Sequence, residues 1–148
     1  MPTPIPERTD RELPLAVLLL ETGAIVQEAL RAALAGSWLR PRHCQVLLHV
    51  AQTGSATQHD LIDAMAVDAS VLVGLLNDLE SEGLVQRLRD PGDRRRHIVS
   101  LSERGSEEQA ALRKRIGVME DALLTDLSAG DRRHARRVLQ AIWGRAHS

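Results

Sequence analysis

Residues 68–101 read DASVLVGLLNDLESEGLVQRLRDPGDRRRHIVSL, a leucine-spaced segment followed by an alternating, arginine-rich one. Asp68 has the chemistry of a helix N-cap, and Gly83 that of a helix stop, so the spacing predicts a helix from Ala69 to Glu82. Leu72, Leu75, Leu76 and Leu79 fall on one side of it. At about 100° per residue the opposite side carries Ser70, Gly74, Asn77 and Ser81. The period then changes from helical to alternating. Leu84 to Arg89 and Arg96 to Leu101 alternate apolar and polar residues around the turn Asp90-Pro91-Gly92-Asp93, which predicts a β-hairpin with an arginine-rich tip.

Upstream, Thr57 and Asp60 form a capping-box pattern for a short helix ending near Met65, with Leu61 and Met65 facing inward. This helix and the next, joined by a short turn, make a helix-turn-helix. Before them, Pro41 opens a helix to about Ala51 whose Cys44, Leu47, Leu48 and Ala51 share a face. Met1 to Arg8, rich in proline, reads as a loose arm, and Asp10 to about Ala35 as a helix with Pro14 in its first turn. Its apolar stripe runs Leu15, Leu18, Leu19, Thr22, Ile25, Val26, Ala29, Ala33, and Gly36 closes it. Downstream, Ser102 caps a helix to about Leu127 with Leu112, Ile116, Met119, Leu123 and Leu127 in register. Ser128 and Asp131 cap a last helix, apolar at Ala135, Val138, Leu139 and Ile142.

The resulting fold class is mainly α with a small β-hairpin wing: a winged helix-turn-helix with long N- and C-terminal dimerisation helices. Residues 1–36 form the arm and first dimerisation helix, 37–101 the winged domain, and 102–148 the C-terminal dimerisation helices. The terminal stripes are too long for a small winged domain to cover alone, so a homodimer is expected.

With 148 residues, 43% hydrophobic and 26% charged, the chain has the composition of one ordinary globular domain. Trp38 and Trp143 are its only aromatics, so the core is aliphatic and base stacking cannot drive nucleic-acid binding. The single Cys44 excludes an intrachain disulfide and fits a reducing, cytoplasmic setting. The longest apolar run, Leu13 to Leu20, is broken by Pro14 and gives no membrane span. Net charge is −1, but residues 56–83 hold six acids and no lysine or arginine, while 84–104 hold six arginines against three acids. Any nucleic-acid contact should therefore centre on the basic segment.

Leu79-Glu80-Ser81-Glu82-Gly83-Leu84-Val85, then Asp90-Pro91-Gly92-Asp93-Arg94-Arg95-Arg96, then Val99-Ser100-Leu101-Ser102-Glu103-Arg104-Gly105, together resemble the MarR family of bacterial transcription regulators. The resemblance implies a homodimer, built from the first and last two helices, that binds a pseudo-palindromic operator on double-stranded DNA and releases it when a small ligand binds. The second helix of the motif would enter the major groove and the wing the minor groove. Ser70, Gly74 and Asn77 would meet base edges, with Asn77 suited to adenine N6 and N7. Arg95, in the pattern Asp93-x-Arg95, matches the family's minor-groove arginine, with Asp93 holding the wing. Arg87, Arg89, Arg94 and Arg96 complete the basic set. The family commonly has a basic residue on the outer recognition face. This chain has none, and Asp78 and Glu82 would repel phosphate, so affinity should rest on the wing and on helix N-termini. The alternative is a dimeric winged-helix interaction or ligand-binding module that has lost sequence-specific readout.

Trp38, with Arg40, Arg42 and His43 beside it, forms an apolar plate near positive charge that would suit a small aromatic carboxylate or phenolate in a cleft between dimerisation helices and winged lobe. The plainer reading is that Trp38 packs the helix junction. Arg132, Arg133, Arg136 and Arg137 have the spacing of a solvated helix face, and Cys44 that of a small buried hydrophobe rather than a redox sensor. His43, His49 and His59 with Asp60 and Asp63 lack metal-ligand geometry, and no cofactor is implied. No phosphate-cradling glycine loop, nucleophile elbow or carboxylate pair points to an enzyme.

Overall fold

A computed structural model describes residues 13–148. The proposed helix start at Asp10 and the proline-bearing arm lie outside the described residues. The elements are α1 (Leu15–Ala33), α2 (Pro41–Thr53), β1 (Ser55–Thr57), α3 (Gln58–Met65), α4 (Ala69–Ser81), β2 (Val85–Arg89), β3 (His97–Leu101), α5 (Glu103–Leu123) and α6 (Ala129–Ala146). They divide into two compact units. One runs from Gly36 to Arg115; the other comprises the described residues through Ala35 and those from Ile116 on.

The winged unit is organised by local chemistry. Pro41 sits in the first turn of α2, where its missing N–H is no loss. The Thr57 hydroxyl accepts from the Asp60 amide at 3.0 Å and the Asp60 carboxylate accepts from the Thr57 amide at 3.1 Å, the reciprocal cap that the sequence announces. Asp68 occupies the N-cap of α4 but makes no side-chain capping bond, which departs from its expected role. At the other end Gly83 adopts φ 72°, allowing the Gly83 amide to reach the Glu80 carbonyl and the Leu84 amide the Leu79 carbonyl at 2.9 Å.

The sheet is antiparallel with order β1-β3-β2 and register Ala56 to Val99 and Arg87 to Val99. The hairpin is the expected one; β1 is an addition that the sequence did not disclose. Val46, Leu47, Val50, Leu61, Leu72, Leu76, Leu79 and Val99 make the aliphatic core, joined by Leu112 of α5. The inward face of α2 is rotated from the expected one: Cys44 and Leu47 are buried, but with Val46 and Val50 rather than Leu48 and Ala51. Met65 is only half-buried.

In the other unit, Pro14 immediately precedes α1 instead of lying inside it, and its carbonyl accepts from Val17 and Leu18. Helix α5 ends at Leu123, short of the expected Leu127. The Ser128–Asp131 box opens α6 as expected, and the Ser128 hydroxyl and amide hold the Asp131 carboxyl below its ordinary range. Arg132 is not merely solvated: it reaches Asp121 at 2.7 Å and the Leu124 carbonyl at 2.9 Å, tying α6 to the end of α5. Neither α1 nor α6 has a buried residue; Leu15, Leu18, Leu19 and Ile25 of α1 and Val138, Leu139, Ile142 and Trp143 of α6 are exposed, while Val26 and Leu30 of α1 are half-buried.

Candidate nucleic-acid interface

The face of α4 opposite its leucines is open to solvent. Ser70, Gly74 and Asn77 are all exposed on it. A Cβ added at Gly74 would meet nothing within 4 Å, so nothing in the chain itself requires glycine there. Asn77 and Glu80, three residues apart on one side of the helix, both meet Arg87 of β2. The Arg87 Nε donates to Glu80 Oε2 at 2.5 Å and its Nη2 donates to Asn77 Oδ1 at 2.6 Å. Arg87, expected among the DNA-contacting cations, is therefore half-buried and engaged within the chain. Sequence reading missed this pairing, because it depends on how β2 packs beside α4.

The wing tip is closed by its own acids. Asp90 Oδ1 accepts from the Gly92 amide at 2.8 Å, and Asp93 Oδ1 accepts from the Arg95 amide at 3.0 Å. Asp93 also lies 3.8 Å from the Arg96 guanidinium, and backbone bonds join Asp90 to Arg96 and Arg96 to Asp93. Short side-chain loops of this kind fix the turn and leave Arg89, Arg94, Arg95 and Arg96 exposed around it. Behind the wing, Ser102 donates to the Gly83 carbonyl at 2.6 Å and accepts from the Gly105 amide at 2.9 Å, locking the start of α5 to the end of α4.

Around Trp38 the residues divide. Trp38 is 42% exposed and meets the His43 ring edge to face, with centroids 5.0 Å apart. His43 is 5% exposed. Its Nδ1 accepts from the Arg40 amide at 3.1 Å, so Nε2 carries the hydrogen and donates to Asp78 Oδ2 at 2.9 Å. As a correction to the sequence reading, His43 offers no ring nitrogen to a ligand; it backs Trp38 and tethers α2 to α4. Asp78, expected to repel phosphate, is the other end of that tether. Arg40 and Arg42 are exposed. Cys44 is 2% exposed, and burial pushes its thiol up to about 11, the opposite of what a reactive thiolate needs. Among the described residues no three His, Cys, Asp or Glu side chains group as a metal site, and no helix is long and apolar enough to cross a membrane.

Comparison with known proteins follows the same residues. Residues 39–96 match the model of the MarR family. The chain is 37% identical over 79 residues to the HTH-type transcriptional repressor NicR of Pseudomonas putida, a match covering 53% of this chain and 50% of that one. It thus spans about half the length of this relative. A MarR-family transcriptional regulator from a Rhodococcus species superimposes with a TM-score of 0.84 at 26% identity, covering 91% of this chain and 96% of that one. CouR from Rhodococcus jostii, solved bound to p-coumaroyl-CoA, gives 0.79 at 27%, covering 91% and 95%.

Proposed function

We propose that this chain, whose residues 39–96 match the model of the MarR family, is a homodimeric, DNA-binding transcriptional repressor of that family whose hold on its operator responds to a small ligand. The observation that carries the reading is the exposed outer face of α4 flanked by a turn that displays Arg89, Arg94, Arg95 and Arg96. A helix of that kind fits a major groove and an arginine-bearing hairpin the narrower groove beside it. Asp93 preorganises Arg95 by holding its amide. The exposed apolar faces of α1 and α6 supply the means of pairing two copies, and a two-fold dimer reads a pseudo-palindrome. The chain acts by binding and not by catalysis.

The alternative, a dimeric module without sequence readout, draws its support from the acidic stretch 56–83. Much of that acidity is spent internally, on Thr57 by Asp60, His59 by Asp63, His43 by Asp78 and Arg87 by Glu80. Of these only Glu80 is paired with a permanent cation, so the negative charge that reaches a phosphate falls at Glu80, while the other carboxylates are held in fixed directions by their partners. For the ligand, Trp38 with Arg40 and Arg42 fits a small aromatic or phenolic anion, and the aromatic acyl thioester bound by CouR lends support to that class.

Titration of the protein with its own upstream DNA and with random duplex, at low and moderate salt, tests the reading. Preference for the upstream duplex, and similar losses on both duplexes for Arg95→Ala, are expected of an operator-binding protein whose wing supplies non-specific charge. Equal affinity for both duplexes in the unmodified protein would favour the alternative.

A further inference from the structure

Arginine has only donors, so the bond from Arg87 Nη2 settles the orientation of the Asn77 amide: Oδ1 turns toward the wing strand and Nδ2 turns away from it. Glu80 holds the guanidinium in place through Nε, and the side chain of Arg87 is only 23% exposed while Asn77 stays open to solvent. We propose that Glu80, Arg87 and Asn77 form a relay that presents Asn77 to DNA as an amide donor, making it a reader of guanine rather than adenine. The proposal deepens, and rests on, the DNA-binding reading above.

The chemistry lies in the base edges. An unencumbered asparagine can turn its oxygen and one of its two amide hydrogens to a base, which match the N6 amino group and N7 of adenine. Oδ1 has a second lone pair, but the guanidinium that fills the first brings positive charge and N–H groups alongside. That environment opposes the amino hydrogens of adenine and favours two acceptors side by side. Guanine O6 and N7 are that pair; thymine offers only O4 beside a methyl group. The acid and the arginine are thus positioning residues, and the base contact belongs to Asn77.

Selection of bound duplexes from a randomised pool, followed by affinity measurement on single-base variants of the selected site, tests this. Asn77→Ala should flatten preference at one position per half-site and leave the others intact. At that position the unmodified protein should prefer guanine over adenine by about tenfold, the scale of one good base contact. Arg87→Met should move the preference toward adenine there alone, while Glu80→Gln, which keeps the guanidinium but frees it, should reduce the preference for guanine without reversing it. Thermal melting of each variant establishes that it is folded. Adenine preferred by the unmodified protein, a guanine preference that survives Arg87→Met, or an Asn77→Ala effect spread evenly over all positions would each overturn the relay and leave DNA binding standing. Failure of the unmodified protein to select any duplex would overturn the DNA-binding reading and the relay with it.

Discussion

At the scale of single residues, His43 connects most. It is almost wholly buried, yet both ring nitrogens are bonded, one to the backbone of its own helix start and one to the outward helix of the motif. Removing the Asp78 carboxylate leaves a buried N–H without its partner, a loss of about 1 to 3 kcal/mol. Asp78→Ala should therefore lower the denaturant midpoint, and Asp78→Asn, which keeps an acceptor oxygen, should recover most of it. Equal stability of Asp78→Ala and the unmodified protein would remove the tether from the account. Cys44 gives a pH signature. Its thiol is raised from 9.0 to about 11 by desolvation. The folded state thus keeps a proton that the unfolded chain has released, so stability holds below pH 9 and falls as pH rises toward about 11. The chain has no tyrosine and one lysine, so few other side chains titrate in that window. Cys44→Ala should flatten the alkaline slope measured by denaturant unfolding at pH 8 to 11, whatever it does to stability at neutral pH.

At the scale of elements, the junction between α4, the hairpin and α5 depends on one close approach. A Cβ at Gly105 would lie 1.9 Å from the Leu84 carbonyl oxygen, whose own bond to the Ser102 amide fixes its place. Backbone cannot step aside as a flexible side chain can, so Gly105→Ala should cost about 3 kcal/mol, the upper end of ordinary overpacking. For a chain of this length that is a fall of roughly 6 to 12 °C in melting temperature. Gly74→Ala, with open space around it, is the control and should melt no lower than the unmodified protein. These elements differ in how far the sequence discloses them. The boxes Thr57–Asp60 and Ser128–Asp131 were legible because both partners sit within one turn, and the hairpin because its alternation and its turn are contiguous. The strand Ser55–Thr57 was not, since three residues carry no period and its existence depends on pairing with β3. The same reason hid half of the site. Exposure of Ser70, Gly74 and Asn77 followed from the leucine stripe, but Arg87 meets Asn77 and His43 meets Asp78, ten and thirty-five residues apart, only through packing between elements.

At the scale of the whole molecule, the question is what covers the terminal helices. Leu20 is 76% exposed on α1 and Val118 72% on α5, and Leu139, Ile142 and Trp143 on α6 are each about half exposed. Single exposed apolar residues need no partner, but stripes repeated on successive helices do. Under the proposed reading the occupant is a second copy, because a two-fold interface uses each stripe twice and closes on itself instead of growing into a fibre. A charge placed there is felt twice for the same reason. Leu139→Glu with Ile142→Glu should therefore convert a dimer at about 10 μM to a monomer in sedimentation equilibrium, since two such carboxylates per chain have no partner to offset their desolvation. Melting provides an independent measure: linkage makes the melting temperature of a dimer rise with protein concentration, and the double variant should lose that dependence. It should also lose operator affinity with its wing untouched, because two recognition helices must be held about 34 to 36 Å apart to enter successive major grooves. A monomeric unmodified protein at that concentration, or a double variant that still sediments as a dimer, would show that these helices pair by other faces or not at all.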